Sequence, residues 1–157
     1  MSSCSHAFKE SLRKTAEDDI PFTSVQSNID RDTGAVFIWG GVIVNAVISD
    51  TINYLEIVQT PLNKYGKIIN PEYSEGRFVL YSPAGFGRDE YHEGRLISVL
   101  GFLIRGVDSS VDGQPYTYPV MEAIEIRLWG DMEGNIPHAS FPSQLSRMFP
   151  WNISEPR

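Results

Sequence analysis

Cysteine is almost absent from this chain: Cys4 is the only one among 157 residues. A single cysteine excludes a disulfide within the chain. Histidine is nearly as rare, and His6, His92 and His138 lie far apart in the sequence. Closely spaced cysteine or histidine pairs, which structural zinc sites use, are therefore missing. We expect neither a bound metal nor another cofactor.

Long hydrophobic runs are missing as well. The longest, residues 35–48, is shorter than the roughly 18–20 residues that a transmembrane helix needs. Gly40 and Gly41 interrupt this run, and its other members are rich in Val and Ile. This composition favours a β-strand over a membrane-spanning helix.

Positive charge is scarce, because 13 Lys and Arg face 20 Asp and Glu and give a net charge of −7. Proteins that bind nucleic acid by charge depend on Lys and Arg at the phosphates. Adsorption to anionic lipid by charge alone needs a basic cluster. We therefore expect no nucleic-acid partner and no purely electrostatic attachment to a membrane.

What the chain does contain is enough apolar sequence for one folded domain. Hydrophobic residues make up 41% and charged residues 21%, which is ordinary globular usage. Five segments have the composition or two-residue alternation of strands. These are residues 36–48, 53–60, 77–81, 96–105 and 118–129. Glycines inside the first and fourth segments mark the bends that small barrels use to turn corners.

The strands predict an all-β fold: a small, OB-like, antiparallel barrel with bent strands, five to six in number. Residues 106–115 are interpreted as a turn. In the last strand Val120, Ile124, Ile126 and Leu128 are predicted to share one face. Residues 1–34 are predicted to be an N-terminal tether, with room for a short helix over 7–17. Residues 35–130 form the predicted barrel, and the proline-rich tail, 131–157, is expected to pack partly on it.

Candidate chemistry is sparse. Asp89-Glu90-Tyr91-His92-Glu93 could hold a divalent cation or supply an acid and a base, but an acidic solvated loop, with one helical turn, explains it better. Ser98 lacks the Gly-x-Ser-x-Gly elbow of a hydrolase. No catalytic residue is therefore assigned. Trp39 and Trp129 are predicted to be core residues.

Four arginines on or near the predicted strands, Arg77, Arg95, Arg105 and Arg127, leave two interpretations open. One is a ligand-facing stripe beside Tyr81, Tyr91 and Tyr118, of the kind that OB folds use for sugars or single strands. The other is charge on the wet faces of strands, partly paired with Glu122 and Glu125. The second interpretation is favoured.

Several short motifs occur together in a fixed order between residues 34 and 129, about 60% of the chain. They are Trp39-Gly40-Gly41-Val42-Ile43, Pro61-Leu62-Asn63-Lys64-Tyr65-Gly66-Lys67, Glu75-Gly76-Arg77-Phe78, Gly85-Phe86, Tyr91-His92-Glu93-Gly94-Arg95, Val99-Leu100-Gly101 and Tyr118-Pro119-Val120 leading to Leu128-Trp129. This set resembles the Slp, or starvation-inducible, family of outer-membrane lipoproteins. The chain departs from the family pattern at Gly87-Arg88-Asp89-Glu90, where Asp-Pro is usual, and at Asp112-Gly113-Gln114, where Ile-Gly-Glu is usual.

The resemblance implies a lipoprotein on the periplasmic face of a Gram-negative outer membrane, linked in some members with starvation or envelope stress, and no enzymatic activity. Cys4 is the implied lipid-attachment residue, with small residues, Ser2 and Ser3, before it and Ser5 after it. The expected partners are the inner leaflet of that membrane, through acyl chains on Cys4, and an unidentified envelope protein or glycan. Two alternatives stay open: an OB-type domain that binds an oligosaccharide or single-stranded nucleic acid, and a metal-dependent enzyme that uses residues 89–93.

Overall fold

The computed structural model describes residues 5–50 and 53–134. Three short helices, α1 (Glu10–Arg13), α2 (Phe22–Ser27) and α3 (Ile29–Asp32), precede five strands. The strands are β1 (Val36–Ile48), β2 (Asn53–Thr60), β3 (Arg77–Tyr81), β4 (Arg95–Val111) and β5 (Gln114–Asp131). The bounds of β1, β2 and β3 agree with the predicted segments, whereas β4 and β5 are longer.

The strands close into a barrel in the order β1-β2-β3-β5-β4, which confirms the predicted all-β barrel with five strands. Neighbouring strands are antiparallel except β3 and β5, which run parallel with Val79 opposite Val120. A ring with an odd number of strands cannot alternate direction all the way round. One parallel pair is therefore required, and β3 with β5 supplies it.

The hairpin of β4 and β5 extends much further than the sequence predicted. Residues 106–115 were interpreted as a turn, but the ladder continues until Val111 pairs with Gln114. Only Asp112 and Gly113 lie between them, with φ angles of 51° and 77°. Positive φ at both central residues is the geometry of a type I′ turn, for which Asp-Gly is a preferred sequence. This turn has a twist that matches the flanking strands, so the polar residues before it remain in the sheet.

The predicted face of β5 is wrong at Val120 and at Ile124. Val120 packs in a second cluster with Tyr54 and Val79, on the other face of the sheet, whereas Ile126 and Leu128 pack against the interior cluster. Leu100 pairs with Glu125 and Gly101 with Ala123, so Ile124 is an extra residue in β5, a β-bulge. The bulge reverses the alternation of side chains along the strand. Ile124 is consequently 47% exposed, while Ala123 packs against the barrel interior.

The barrel interior is filled by apolar side chains from all five strands, among them Trp39, Ile57, Phe78, Val99 and Met121. The burial of Trp39 confirms its prediction as a core residue. Trp129 is half-buried and packs against a separate small cluster around Phe8 and Leu100.

Residues 5–34, predicted as a tether, lie against the barrel at several points. Phe22, Val25 and Ile29 are buried within the interior cluster, and Ala7 and Phe8 are buried beside Leu100. These apolar residues are not spaced as one helical stripe, because they pack against the barrel at separate points. Only Glu10–Arg13 is helical within the predicted helix 7–17.

The boundaries of the predicted tether, barrel and tail stay predictions. Cys4 and residues 135–157, which include most of the tail, lie outside the described residues. No helix in the described part of the chain is long and apolar enough to cross a membrane.

Candidate functional site

The described chain begins directly after Cys4, the predicted lipid-attachment residue, and it is fixed to the barrel almost at once. The backbone N–H of Ala7 donates to the carbonyl oxygen of Tyr65 at 2.8 Å. The Nε of Arg127 donates to the carbonyl oxygen of Ala7, also at 2.8 Å. With Phe8 buried as well, the chain is held from the third residue after Cys4 onward.

The loop that receives Ala7 is itself held by a chain of hydrogen bonds. The Nε1 of Trp129 donates to Oγ of Ser98 at 2.9 Å, and that hydroxyl donates to the carbonyl oxygen of Gly66 at 2.7 Å. Gly66 has a φ of 78°, and a Cβ there would lie 2.9 Å from Cε1 of His6. Ser98 is thus a structural residue that positions the loop beside the N-terminal segment.

A cleft of about 560 Å³ opens next to this junction, a volume typical of small-molecule sites. It lies between the N-terminal segment, parts of β1 and β2, and the loop that follows β2. Phe22 and Trp39 line it, with ring centroids 4.8 Å apart in an edge-to-face arrangement. The charged side chains around it are Arg13, Lys64, Glu17, Asp18 and Glu75.

Two polar atoms of the cleft have no hydrogen-bond partner within the described residues. They are Oγ1 of Thr60, which is 1% exposed, and Nε of Arg13. Burial lowers the pKa of His6, and the Arg13 guanidinium lowers it further, while Asp18 acts in the opposite direction. Because Nδ1 of His6 accepts the Phe8 N–H at 3.0 Å, the neutral ring carries its proton on Nε2. The cleft is suited to a small polar ligand that carries both signs of charge or none.

The acidic segment 89–93 does not gather into a metal site. Asp89, Glu90 and Glu93 are exposed, and Nε2 of His92 lies 3.5 Å from a carboxylate oxygen of Asp131. Within the described ranges, no three His, Cys, Asp or Glu side chains are grouped as metal ligands would be. In place of the expected helical turn over 89–93, one turn ends at Tyr91, whose N–H donates to the Gly87 carbonyl at 3.0 Å.

The arginines for which the sequence allowed two interpretations do not form one ligand-facing stripe. Arg95 and Arg127 donate to backbone carbonyls, of Trp129 and Ala7 respectively. Arg77 is buried and pairs with Glu56. All three arginines hold parts of the fold together and do not share a ligand surface. Arg127 is also exposed, as expected for charge on the wet face of a strand, whereas the burial of Arg77 contradicts that interpretation for Arg77.

A buried polar network on β2, β3 and β5 was missed by the sequence analysis. One carboxylate oxygen of Glu56 accepts from Nη1 of Arg77 at 2.8 Å and from the hydroxyl of Tyr118 at 2.7 Å. Glu56 lies between the interior residues Leu55 and Ile57, so its side chain is on the opposite face of β2. The sequence feature that could have indicated this network is the single charged residue, Glu56, in the middle of the second predicted strand.

The same face of the sheet contains a tyrosine that makes stability depend on alkaline pH. Burial raises the pKa of Tyr54, and the nearby Glu56 carboxylate raises it further. A phenol whose pKa is higher in the folded state stabilises the fold below the unfolded pKa of about 10, and this contribution is lost as the pH rises further. We expect the free energy of unfolding, measured by urea titration, to fall between pH 9 and pH 11.5.

The matched variant for this measurement is Tyr54→Phe, which removes the ionisable group and keeps the ring. After correction for its own stability at pH 8, the variant should lose less stability than the wild type over the same pH interval. Equal losses in the two proteins would show that Tyr54 does not control the alkaline response.

Comparison with known proteins identifies the family. The model of the outer membrane lipoprotein Slp family matches residues 1–157, the whole chain. A protein from Haemophilus influenzae that is itself named only as an uncharacterized protein is 32% identical over 91 residues, which are 57% of this chain and 49% of that protein. The chain therefore spans about half the length of this relative. No solved structure matches the chain. The chain belongs to the Slp family of outer membrane lipoproteins.

Proposed function

We propose that the protein is a lipid-anchored module on the periplasmic face of the outer membrane, with a structural or adaptor role and no catalytic one. The observation that carries this proposal is the family match over the whole chain, which includes its only cysteine. Cys4 is the proposed attachment residue. Its thiol takes a diacylglycerol group, hydrolysis of the Ser3–Cys4 peptide bond then frees its amine, and that amine takes a third acyl chain.

The energetics of acylation suit a permanent anchor. Each buried methylene contributes about 0.8 kcal/mol, so one acyl chain holds a protein only marginally while two or three hold it stably. The net charge of −7 gives no electrostatic attraction to an anionic leaflet. Acyl chains are therefore the anchor that this composition needs. Ser5 after the cysteine, in place of Asp, supports sorting to the outer membrane.

The adaptor role is proposed because the described residues form a closed barrel with a polar cleft that begins two residues after Cys4, at His6. The cleft of about 560 Å³ beside His6 is the proposed contact point for an envelope protein or a glycan. A link with starvation or envelope stress is part of the same proposal. The OB-like form predicted for the barrel also raises an oligosaccharide or single-stranded nucleic acid as a ligand, and the acidic net charge argues against the nucleic acid.

The anchor is tested by expressing the full-length gene in a Gram-negative host and measuring intact mass and membrane fractionation. The wild-type protein should gain the mass of its acyl chains and sediment with the outer membrane. Cys4→Ala, secreted behind a cleavable signal sequence, should keep its unmodified mass and be released by carbonate. Ser3→Ala is the matched control and should behave as the wild type. A Cys4→Ala protein that stays in the carbonate-washed membrane would contradict the proposal.

A further inference from the structure

The number of residues between Cys4 and the barrel is small enough to limit how the domain meets the membrane. Ala7 is bound to the barrel through its N–H and its carbonyl oxygen. Three residues span at most about 11 Å, even when fully extended. A folded domain of this length has a radius of gyration of about 15 Å. An anchor on Cys4 therefore holds the barrel against the bilayer, with the surface around Ala7 facing it.

That surface includes the loop between β2 and β3, residues 61–76, which we call the anchor loop. Tyr65 of this loop accepts the hydrogen bond from Ala7, and four residues on, at most about 14 Å away, is Ile69. Ile69 is 61% exposed and Tyr73 is 53% exposed. Among the described residues, these are two of the three large hydrophobic side chains with high exposure, and the third is Ile124.

We propose that the anchor loop rests on the phospholipid surface, with Ile69 and Tyr73 inserted at the boundary between headgroups and acyl chains. This inference depends on the proposed acylation of Cys4. Tyr is favoured at membrane interfaces because its ring is apolar and its hydroxyl is polar. Lys64 and Lys67 of the loop are offset by Glu72 and Glu75, so insertion of apolar side chains, and not charge, supplies the contact.

The proposed contact also assigns an orientation to the rest of the barrel. The anchor loop connects the Thr60 end of β2 with the Arg77 end of β3. The loop 82–94 and the turn before β2 lie at the other ends of these strands, where Gly85 is close to Asn53. The exposed acidic residues Asp89, Glu90 and Glu93 are then turned toward the periplasm, where a partner can reach them.

The test uses a fluorescent probe on single cysteines in the acylated protein. Because Cys4 is the only native cysteine, acylation leaves an introduced cysteine as the sole reactive thiol. Ile69→Cys and Tyr73→Cys are each labelled with nitrobenzoxadiazole, and the proteins are reconstituted into phosphatidylcholine vesicles with or without doxyl-labelled lipid. Ala84→Cys, at an exposed position in the loop at the opposite end of β3, is the matched control.

Both probes on the anchor loop should shift their emission to shorter wavelength and lose at least about half of it to the doxyl lipid. The probe at position 84 should be unaffected, and 0.5 M NaCl should not change the pattern, because the contact is apolar. Equal quenching at 69 and 84, or none at 69 and 73, in protein whose intact mass shows acylation would overturn the inference alone. Protein that lacks the acyl mass would overturn the proposed function instead.

Discussion

Replacing Arg77 with Met is expected to lower the free energy of unfolding by about 3–5 kcal/mol, the range for removing one partner of a buried ion pair. The side chains of Arg77 and Glu56 are 6% and 2% exposed, and their closest charged atoms are 2.8 Å apart. Without the guanidinium, the Glu56 carboxylate loses the cation that lies 2.8 Å away, in a place that water barely reaches. For a chain of this length the loss corresponds to a melting temperature lowered by more than about 6 °C.

A double-mutant cycle separates the ion pair from the other effects of the change. Glu56→Gln keeps the shape of the side chain and its hydrogen bond with Tyr118 while removing the charge. The double variant, Glu56→Gln with Arg77→Met, should be more stable than the sum of the two single losses by about 1–3 kcal/mol. The free energies are measured by urea titration at pH 7.

The control for this cycle is Lys14→Met, which breaks an ion pair at the surface. Nζ of Lys14 is 3.7 Å from Oε1 of Glu10, and the two side chains are 73% and 72% exposed, so water already screens the attraction. We expect little change in stability from this variant. If Arg77→Met is as mild as Lys14→Met, or if the two changes in the cycle are additive, the buried pair does not have the importance assigned to it.

The buried pair of Arg77 and Glu56 illustrates what the sequence could and could not predict. Alternation and turn residues gave β1, β2 and β3 with the observed bounds, because local preferences and tertiary structure agree there. Burial of Arg77 depends on β5 returning beside β3, a contact between residues far apart in the chain. Local patterns do not reveal such a contact, so Arg77 was grouped with the surface arginines.

The differences in β4 and β5 have two further physical causes. Asp108, Ser109 and Ser110 have the composition of a loop, but the Asp-Gly turn keeps them paired within the hairpin. The bulge at Ile124 inserts one residue and reverses the alternation, and periodicity alone cannot place a bulge.

At the candidate site, the family resemblance predicts Cys4 as the lipid-attachment residue, but the sequence did not predict the docking of Ala7 and Phe8 on the barrel. That docking uses backbone groups of Ala7, which carry no sequence signal. The cleft beside it is formed by segments far apart in the chain, from His6 to Glu75. It could therefore be recognised only once the fold was known.

Replacing Gly41 with Ala is expected to be at least as damaging as the loss of Arg77. A Cβ at this position would lie 2.1 Å from the carbonyl oxygen of Val58 and 2.6 Å from Cγ2 of Ile57. Gly41 pairs with Gln59 on β2 and with Ile97 on β4, so the strand has neighbours on both sides and cannot move away. Overpacking of a core typically costs about 1–3 kcal/mol, and a clash with backbone held in a ladder should exceed that range.

Two other glycines of the barrel provide a graded comparison. A Cβ on Gly40 would meet Cδ2 of Leu62 at 2.4 Å, a side-chain atom that can move, so Gly40→Ala should be intermediate. A Cβ on Gly130 has nothing within 4 Å, and Gly130→Ala should be neutral or slightly stabilising because it restricts the unfolded chain. Soluble yield and urea titration of the three variants give the order of their stabilities directly.

The sequence analysis interpreted the mid-strand glycines as bends. If close approach of β1 to β2 is their reason, Gly41→Ala must be the least stable, and a Gly40→Ala protein that is equally unstable would refute that reason.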